Sequence, residues 1–162
     1  MAAADPWATD PSCAAEQAEA LTQIAAIHPA ATILSDDTAF VVPLSLWQTQ
    51  FAALLAAIAG PKSIIGDISR LRTDPTACLA THPTAVQQCS AGLTPMGDAS
   101  GEVGAAAAAH VLYVNPRPWL CAHVCSPVIG RFLAYWSNLH VSTQYASYLS
   151  GVVGAALKKV LR

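Results

Sequence analysis

Charge is scarce in this chain. Only 11% of its 162 residues are Asp, Glu, Lys or Arg, and the formal net charge is −2. With no basic stripe and no interleaving of basic and aromatic residues, nucleic acid is excluded as an expected partner. Long apolar runs are also lacking. A membrane-spanning helix needs about 20 mostly apolar residues, and the best candidates, Phe51–Gly60 and Val103–Val114, are too short. Met1–Pro11 carries Asp5 and Asp10 but no Lys or Arg, unlike the basic start and apolar core of a secretory leader. No export signal and no anchor are therefore expected in the chain as read. There is no Cys-x-x-Cys pair, which argues against a finger-like zinc site. Neither a metal nor a cofactor is expected.

What is abundant is alanine-rich apolar sequence. Hydrophobic residues make up 54% of the chain, enough to build a core and to argue against disorder. Alanine is also the best helix former. The length fits one domain: a lead over residues 1–10, then a folded unit over 11–162. Five cysteines stand out. Cys78 and Cys89 bracket a loop-like stretch containing Pro83, and Cys121 and Cys125 bracket Ala122-His123-Val124. Both pairs lie in turn-rich segments, which suggests two disulfides, with buried free thiols as the alternative. Cys13 is then left over, as a cysteine with an external or lost partner would be.

Along the chain, Pro11–His28 reads as a helix capped by Asp10 or Ser12 and ended by Pro29. Ala31–Ser35 is a β-branched apolar run, expected to be a buried strand. Pro43–Ala59 reads as a helix that Ser45 caps and Gly60-Pro61 stop. Ser63–Gly66 reads as a second buried strand. The stretch 68–101 shows no clear periodicity and holds the first cysteine pair. Ala99–Ala109 is a third helix and Val111–Val114 a third strand. A last helix spans Thr143–Leu161, with Lys158, Lys159 and Arg162 at its C-terminal end, where cations are favoured. Alternation at this spacing predicts an α/β fold with a parallel sheet. Sites in such folds form at the C-terminal ends of the strands, here Ser35–Asp36, Gly66–Asp67 and Asn115.

The stretch Tyr135–Ser142 places His140 in a polar loop just before the last helix, which Ser142 or Thr143 would cap. Imidazole titrates near neutrality and serves as a general base. The plain alternative is a loop histidine with a backbone partner.

Several blocks carry a resemblance: Trp119-Leu120-Cys121, then Cys125, Val128-Ile129-Gly130, and Tyr135…His140-Val141-Ser142…Tyr145-Ala146…Leu149. Together they resemble the end of the SGNH domain fused to bacterial membrane O-acyltransferases. That family ends in Trp-Leu-Cys, a second Cys followed by Pro, Val-x-Gly-Asn and Tyr-x-Asp-x-x-His-Leu-Thr, then a closing helix. Upstream, Pro29-x-x-Thr32-Ile33-Leu34-Ser35, Ile65-Gly66-Asp67 and Cys78-Leu79…His82…Cys89 fit as well. The resemblance covers roughly residues 11–160. It implies a three-layer α/β/α flavodoxin-like SGNH fold on the extracytoplasmic, periplasmic side of a bacterial membrane. The implied chemistry is acyl transfer to a cell-envelope sugar, with a membrane acyltransferase domain or a missing N-terminal segment as partner.

By that resemblance His140 matches the catalytic base. The family Asp three positions earlier, which orients it, is Ser137 here. Losing the acid of a comparable triad costs about 10⁴ in turnover. Asp36, Asp37 or Asp67 would have to substitute. The family nucleophile belongs to a Gly-Asp-Ser block on a first strand upstream of everything matched, and this chain has no such block. Gly66-Asp67-Ile68-Ser69 and Gly97-Asp98-Ala99-Ser100 read as structural, and neither Asn115 nor Asn138 has the family's Gly-x-Asn context. The expectation is a truncated or decayed domain, missing its first strand and with little or no activity alone. A non-catalytic module that keeps the fold is the alternative; an esterase with a rearranged site using Ser35 or Ser69 comes last.

Overall fold

The computed structural model describes residues 11–35, 44–92 and 100–161. Asp10, Asp36, Asp37 and residues 97–99 of the Gly97–Ser100 block lie outside them, as does the side chain of Cys13.

The fold is mixed α/β around a three-stranded parallel sheet. Helix α1 (Pro11–Ile27) leads into β1 (Thr32–Leu34). Helix α2 (Leu44–Ala57) follows, then β2 (Lys62–Ile65), the short helix α3 (Pro75–Thr81), a 3₁₀ turn (Val86–Cys89) and β3 (Ala91–Gly92). Next come α4 (Ser100–Ala108), β4 (Leu112–Val114), α5 (Arg117–Leu120), β5 (Val124–Cys125), β6 (Val128–Ile129) and β7 (Phe132–Leu133). Helix α6 (Thr143–Leu157) closes the chain with a 3₁₀ turn (Lys158–Leu161).

The sheet runs β1-β2-β4, with Leu34, Ile64 and Tyr113 in register across it. Side chains alternate faces along a strand, so these three share one face. They meet Phe51, Leu55, Ala105 and Ala106 from α2 and α4 in the first of two cores. At Gly104 the Gln48 side-chain amide of α2 lies where a Cβ would stand. The second core lies past the strand ends. Leu71, Ala91, Leu120, Cys125, Ala134, Tyr135 and Tyr145 form it from loops, small ribbons and the start of α6. The ribbons are antiparallel: β3 pairs with β5, and β6 with β7.

Both expected disulfides are formed, Cys78–Cys89 and Cys121–Cys125. The first ties α3 to the 3₁₀ turn; the second ties the end of α5 to β5.

Three expectations need correction. β1 is not buried: it is an edge strand with Ile33 41% exposed, because nothing among the described residues pairs beyond it. Ser45 lies inside α2 and its carbonyl accepts the Thr49 hydroxyl, so it is not the cap. The stretch 68–101 is not wholly irregular, since α3 stands in it. Asp74 caps that helix by accepting the Ala77 N–H, and Pro75 at the first helical position needs no partner for a missing N–H. Thr76 and Ala77 donating to Asp74 hold its carboxyl below the usual value.

Candidate active site

The loop that carries His140 is built by its two ends. Ala134 and Tyr135 are fully buried, and Tyr135 bridges Val141 across the loop. The Trp136 N–H donates to the His140 carbonyl at 3.1 Å, and the Ser142 N–H to the Ala134 carbonyl at 2.8 Å. Ser142 is the buried cap of α6: its oxygen accepts the Tyr145 N–H while its hydroxyl donates to the Leu133 carbonyl. The closing helix therefore begins at a fixed point, and the loop is held short and tied.

Two further bonds dock this loop on the segment that leaves β2. The Tyr135 hydroxyl donates to the Ser69 carbonyl at 2.8 Å. The Leu71 N–H donates to the Asn138 carbonyl at 3.0 Å. These dock the His140 loop on the segment that follows β2, at Ser69 and Leu71. Burial holds the Tyr135 phenol above its ordinary pKa, with Tyr145 and Asp67 adding to the effect.

Within the loop, Ser137 Oγ lies 2.8 Å from His140 Nδ1 and accepts the Leu139 N–H at 3.2 Å. His140 is exposed, with the Trp136 ring centroid 5.8 Å from its own. If Nδ1 carries the proton and donates to Ser137, the Nε2 lone pair is free to accept a proton. A hydroxyl can set that tautomer, but it brings no negative charge to stabilise an imidazolium.

Among the described residues, Ser137 is the only hydroxyl bonded to His140. Ser35 follows β1 and is exposed, and Ser69 meets the loop through its carbonyl. The Asp67 carboxylate accepts the Ile68 N–H, and Ser137 rather than Asp67 holds Nδ1. The structure thus joins Ser137 with His140 and docks them on the Asp67–Leu71 segment. It does not bring a second serine to the imidazole among the described residues.

Sequence reasoning missed Glu102. It lies in α4 with its side chain wholly buried. Both carboxylate oxygens accept the Asp67 N–H, at 3.1 and 3.2 Å, and one also accepts the Tyr113 hydroxyl at 3.2 Å. Burial and the Glu102 charge hold the Tyr113 phenol well above its usual range. Gly66 is required here, because a Cβ would stand 2.1 Å from the Tyr113 hydroxyl oxygen. A glutamate in an alanine-rich helix ordinarily reads as a solvated charge. The available signal was the pair Gly66-Asp67 at a strand end, where a backbone N–H needs an acceptor.

The Cys121–Cys125 bridge and the Tyr145 hydroxyl, which donates to the Trp119 carbonyl, fix the 119–125 segment against α6. No protein-family model, curated protein or solved structure matches this chain. Among the described residues no helix is long and apolar enough to cross a membrane, and no group of three or more potential ligands is placed to hold a metal ion.

Proposed function

We propose that this chain is an SGNH-type domain related to O-acyl transfer on cell-envelope sugars, with little or no activity by itself. One observation carries the reading. His140 has its Nδ1 held by the side chain three residues earlier, in a loop tied to the segment that follows a parallel strand. That is the arrangement a general base needs, with Nε2 turned over to chemistry. An active relative would place a serine on Nε2, let it attack the acyl donor, and hold the oxyanion with backbone N–H groups. The sugar hydroxyl would then take the acyl group.

The sheet supports the same reading. β1 is an edge with Ile33 exposed, and an open edge of this kind accepts another strand. We place there the strand bearing the nucleophile, supplied by another segment or by a membrane acyltransferase partner. Two disulfides fit an extracytoplasmic, periplasmic setting.

The test is hydrolysis of p-nitrophenyl acetate by the purified chain and by His140→Ala. Equal, non-saturating rates are expected. Saturable turnover abolished by H140A would instead establish an esterase with a rearranged Ser/His site. The second reading is a non-catalytic module that retains the fold. Ser137 in place of a carboxylate favours it, since a binding surface has no imidazolium to stabilise.

A further inference from the structure

Trp136 is 59% exposed, although it follows the fully buried Tyr135. Its ring is not held by a core. Among the described residues its one ring neighbour is His140, tilted 35° to it. Its backbone, in contrast, is pinned. The Trp136 N–H bonds the His140 carbonyl, Tyr135 bridges Val141, and Asn138 accepts from Leu71. A large apolar ring in water on an immobilised backbone is a preorganised contact surface, because little ordering remains to oppose binding.

The surroundings specify the chemistry of what binds. From Phe132 to Leu157 the chain has no Asp, Glu, Lys or Arg. The ring's neighbour is His140, and the polar residues that follow Trp136 in sequence, Ser137, Asn138, Thr143 and Gln144, carry uncharged side chains. Along the docked segment Asp67 and Arg70 are already engaged in interactions, and Arg72, which follows Leu71, is exposed. Within residues 132–157 a phosphate, a nucleic acid or a charged peptide finds no Asp, Glu, Lys or Arg to pair with. A pyranose ring does fit. Its axial C–H groups form an apolar face that matches the indole, and its rim of hydroxyls matches neutral donors and acceptors.

We infer that Trp136 is the stacking platform for an uncharged sugar ring, held beside the His140 imidazole. The inference rests on reading the 135–141 loop as ligand-facing. It does not require that the chain be catalytic, so it deepens the acceptor side of the proposed function and survives if acyl transfer fails.

The experiment is an NMR titration of the ¹⁵N-labelled full chain with chitotetraose, maltotetraose and tetragalacturonate, observing the Trp136 indole N–H in the wild type and the backbone amides of residues 135–141 in every chain. The neutral sugars are expected to move the indole resonance saturably, with millimolar dissociation constants. Trp136→Phe keeps an aromatic face and should bind within a few-fold. Trp136→Leu keeps apolar bulk without the face and should bind roughly tenfold more weakly. Since the ring is exposed, both variants should fold, which an unchanged amide spectrum away from the loop would verify. The inference is overturned if neither neutral sugar shifts the indole, if W136L binds as well as wild type, or if tetragalacturonate binds as tightly as the neutral probes. Sugar binding without ester turnover would uphold the platform and agree with the low activity expected of the chain alone. Saturable, His140-dependent turnover without Trp136-dependent binding would overturn the platform and, separately, the expectation of little activity.

Discussion

Ser137 Oγ lies 2.8 Å from His140 Nδ1 while accepting the Leu139 N–H at 3.2 Å, so one oxygen closes the turn at both points. An aspartate at this position has no proton to give and would accept both bonds. Ser137→Asp is therefore expected to shift His140 to the tautomer protonated at Nδ1, visible in its imidazole ¹⁵N shifts. Ser137→Ala removes the acceptor and should cost about 1 kcal/mol in urea unfolding. A Ser137→Ala variant of unchanged stability and unchanged tautomer would show that the contact does not organise the loop.

Glu102 should matter more to stability than its alanine-rich helix suggests. Glu102→Ala strands the Asp67 N–H and the Tyr113 hydroxyl, and leaving buried donors unmade costs about 1–3 kcal/mol each. A loss of roughly 3 kcal/mol or more is expected from denaturant unfolding. Glu102→Gln keeps one accepting oxygen and should lose clearly less. Because Asp67 begins the segment that Tyr135 and Asn138 hold, E102A should also raise hydrogen exchange at the Leu71 amide. Equal losses for the two variants would mean that the side chain's bulk, not its acceptors, is what the site uses.

These residues show how far sequence reasoning reached. The alternation of α and β elements was legible because breakers bound the apolar runs: Pro29 after α1, Gly60-Pro61 after α2, Asn115-Pro116 after β4. The cysteine pairs were legible from spacing and turn context, and the His140 loop from its place before a capped helix. The β-branched run at β1 read as buried, yet burial is decided by neighbours, and among the described residues no strand pairs on the outer side of β1. The ribbons β3 and β5–β7 are two residues each, too short to carry a period. Glu102 was invisible because its partners come from the ends of two strands, distant in sequence, and only the register of β2 with β4 brings them to it. Asp74-Pro75 was a readable helix start, but the helix behind it is under two turns and has no amphipathic pattern to confirm it.

Thiol chemistry checks the covalent frame. Of five cysteines, four are paired, which leaves one, Cys13. Ellman titration of the unfolded, unreduced chain should therefore find one free thiol. Replacing Cys78 and Cys89 together with alanine should cost roughly 3 kcal/mol, the scale for a loop of this length. Five free thiols would remove the disulfides and, with them, the support for an extracytoplasmic setting.

The buried phenols predict how the fold responds to alkali. Tyr135 is wholly buried, and its folded pKa is raised above the ordinary value of 10.0. The neutral phenol is thus favoured by the fold, and its contribution is complete below about pH 10. Above that, the unfolded chain releases the proton while the folded chain keeps it. Stability then falls as pH rises towards the folded pKa, by up to about 1.4 kcal/mol per pH unit for this residue. Tyr113 acts in the same direction, more weakly because it is only half-buried and solvent screens it. Tyr135→Phe cannot ionise, but it forfeits the bond to the Ser69 carbonyl. At pH 7 it should be about 1 kcal/mol less stable than wild type. Between about pH 10 and 11 its unfolding free energy should decline less steeply, so the two stabilities converge. Parallel curves for Y135F and wild type across that window would show that Tyr135 ionises in the folded chain as it does in the unfolded one, and that the docking of the His140 loop is looser than the bond to Ser69 implies.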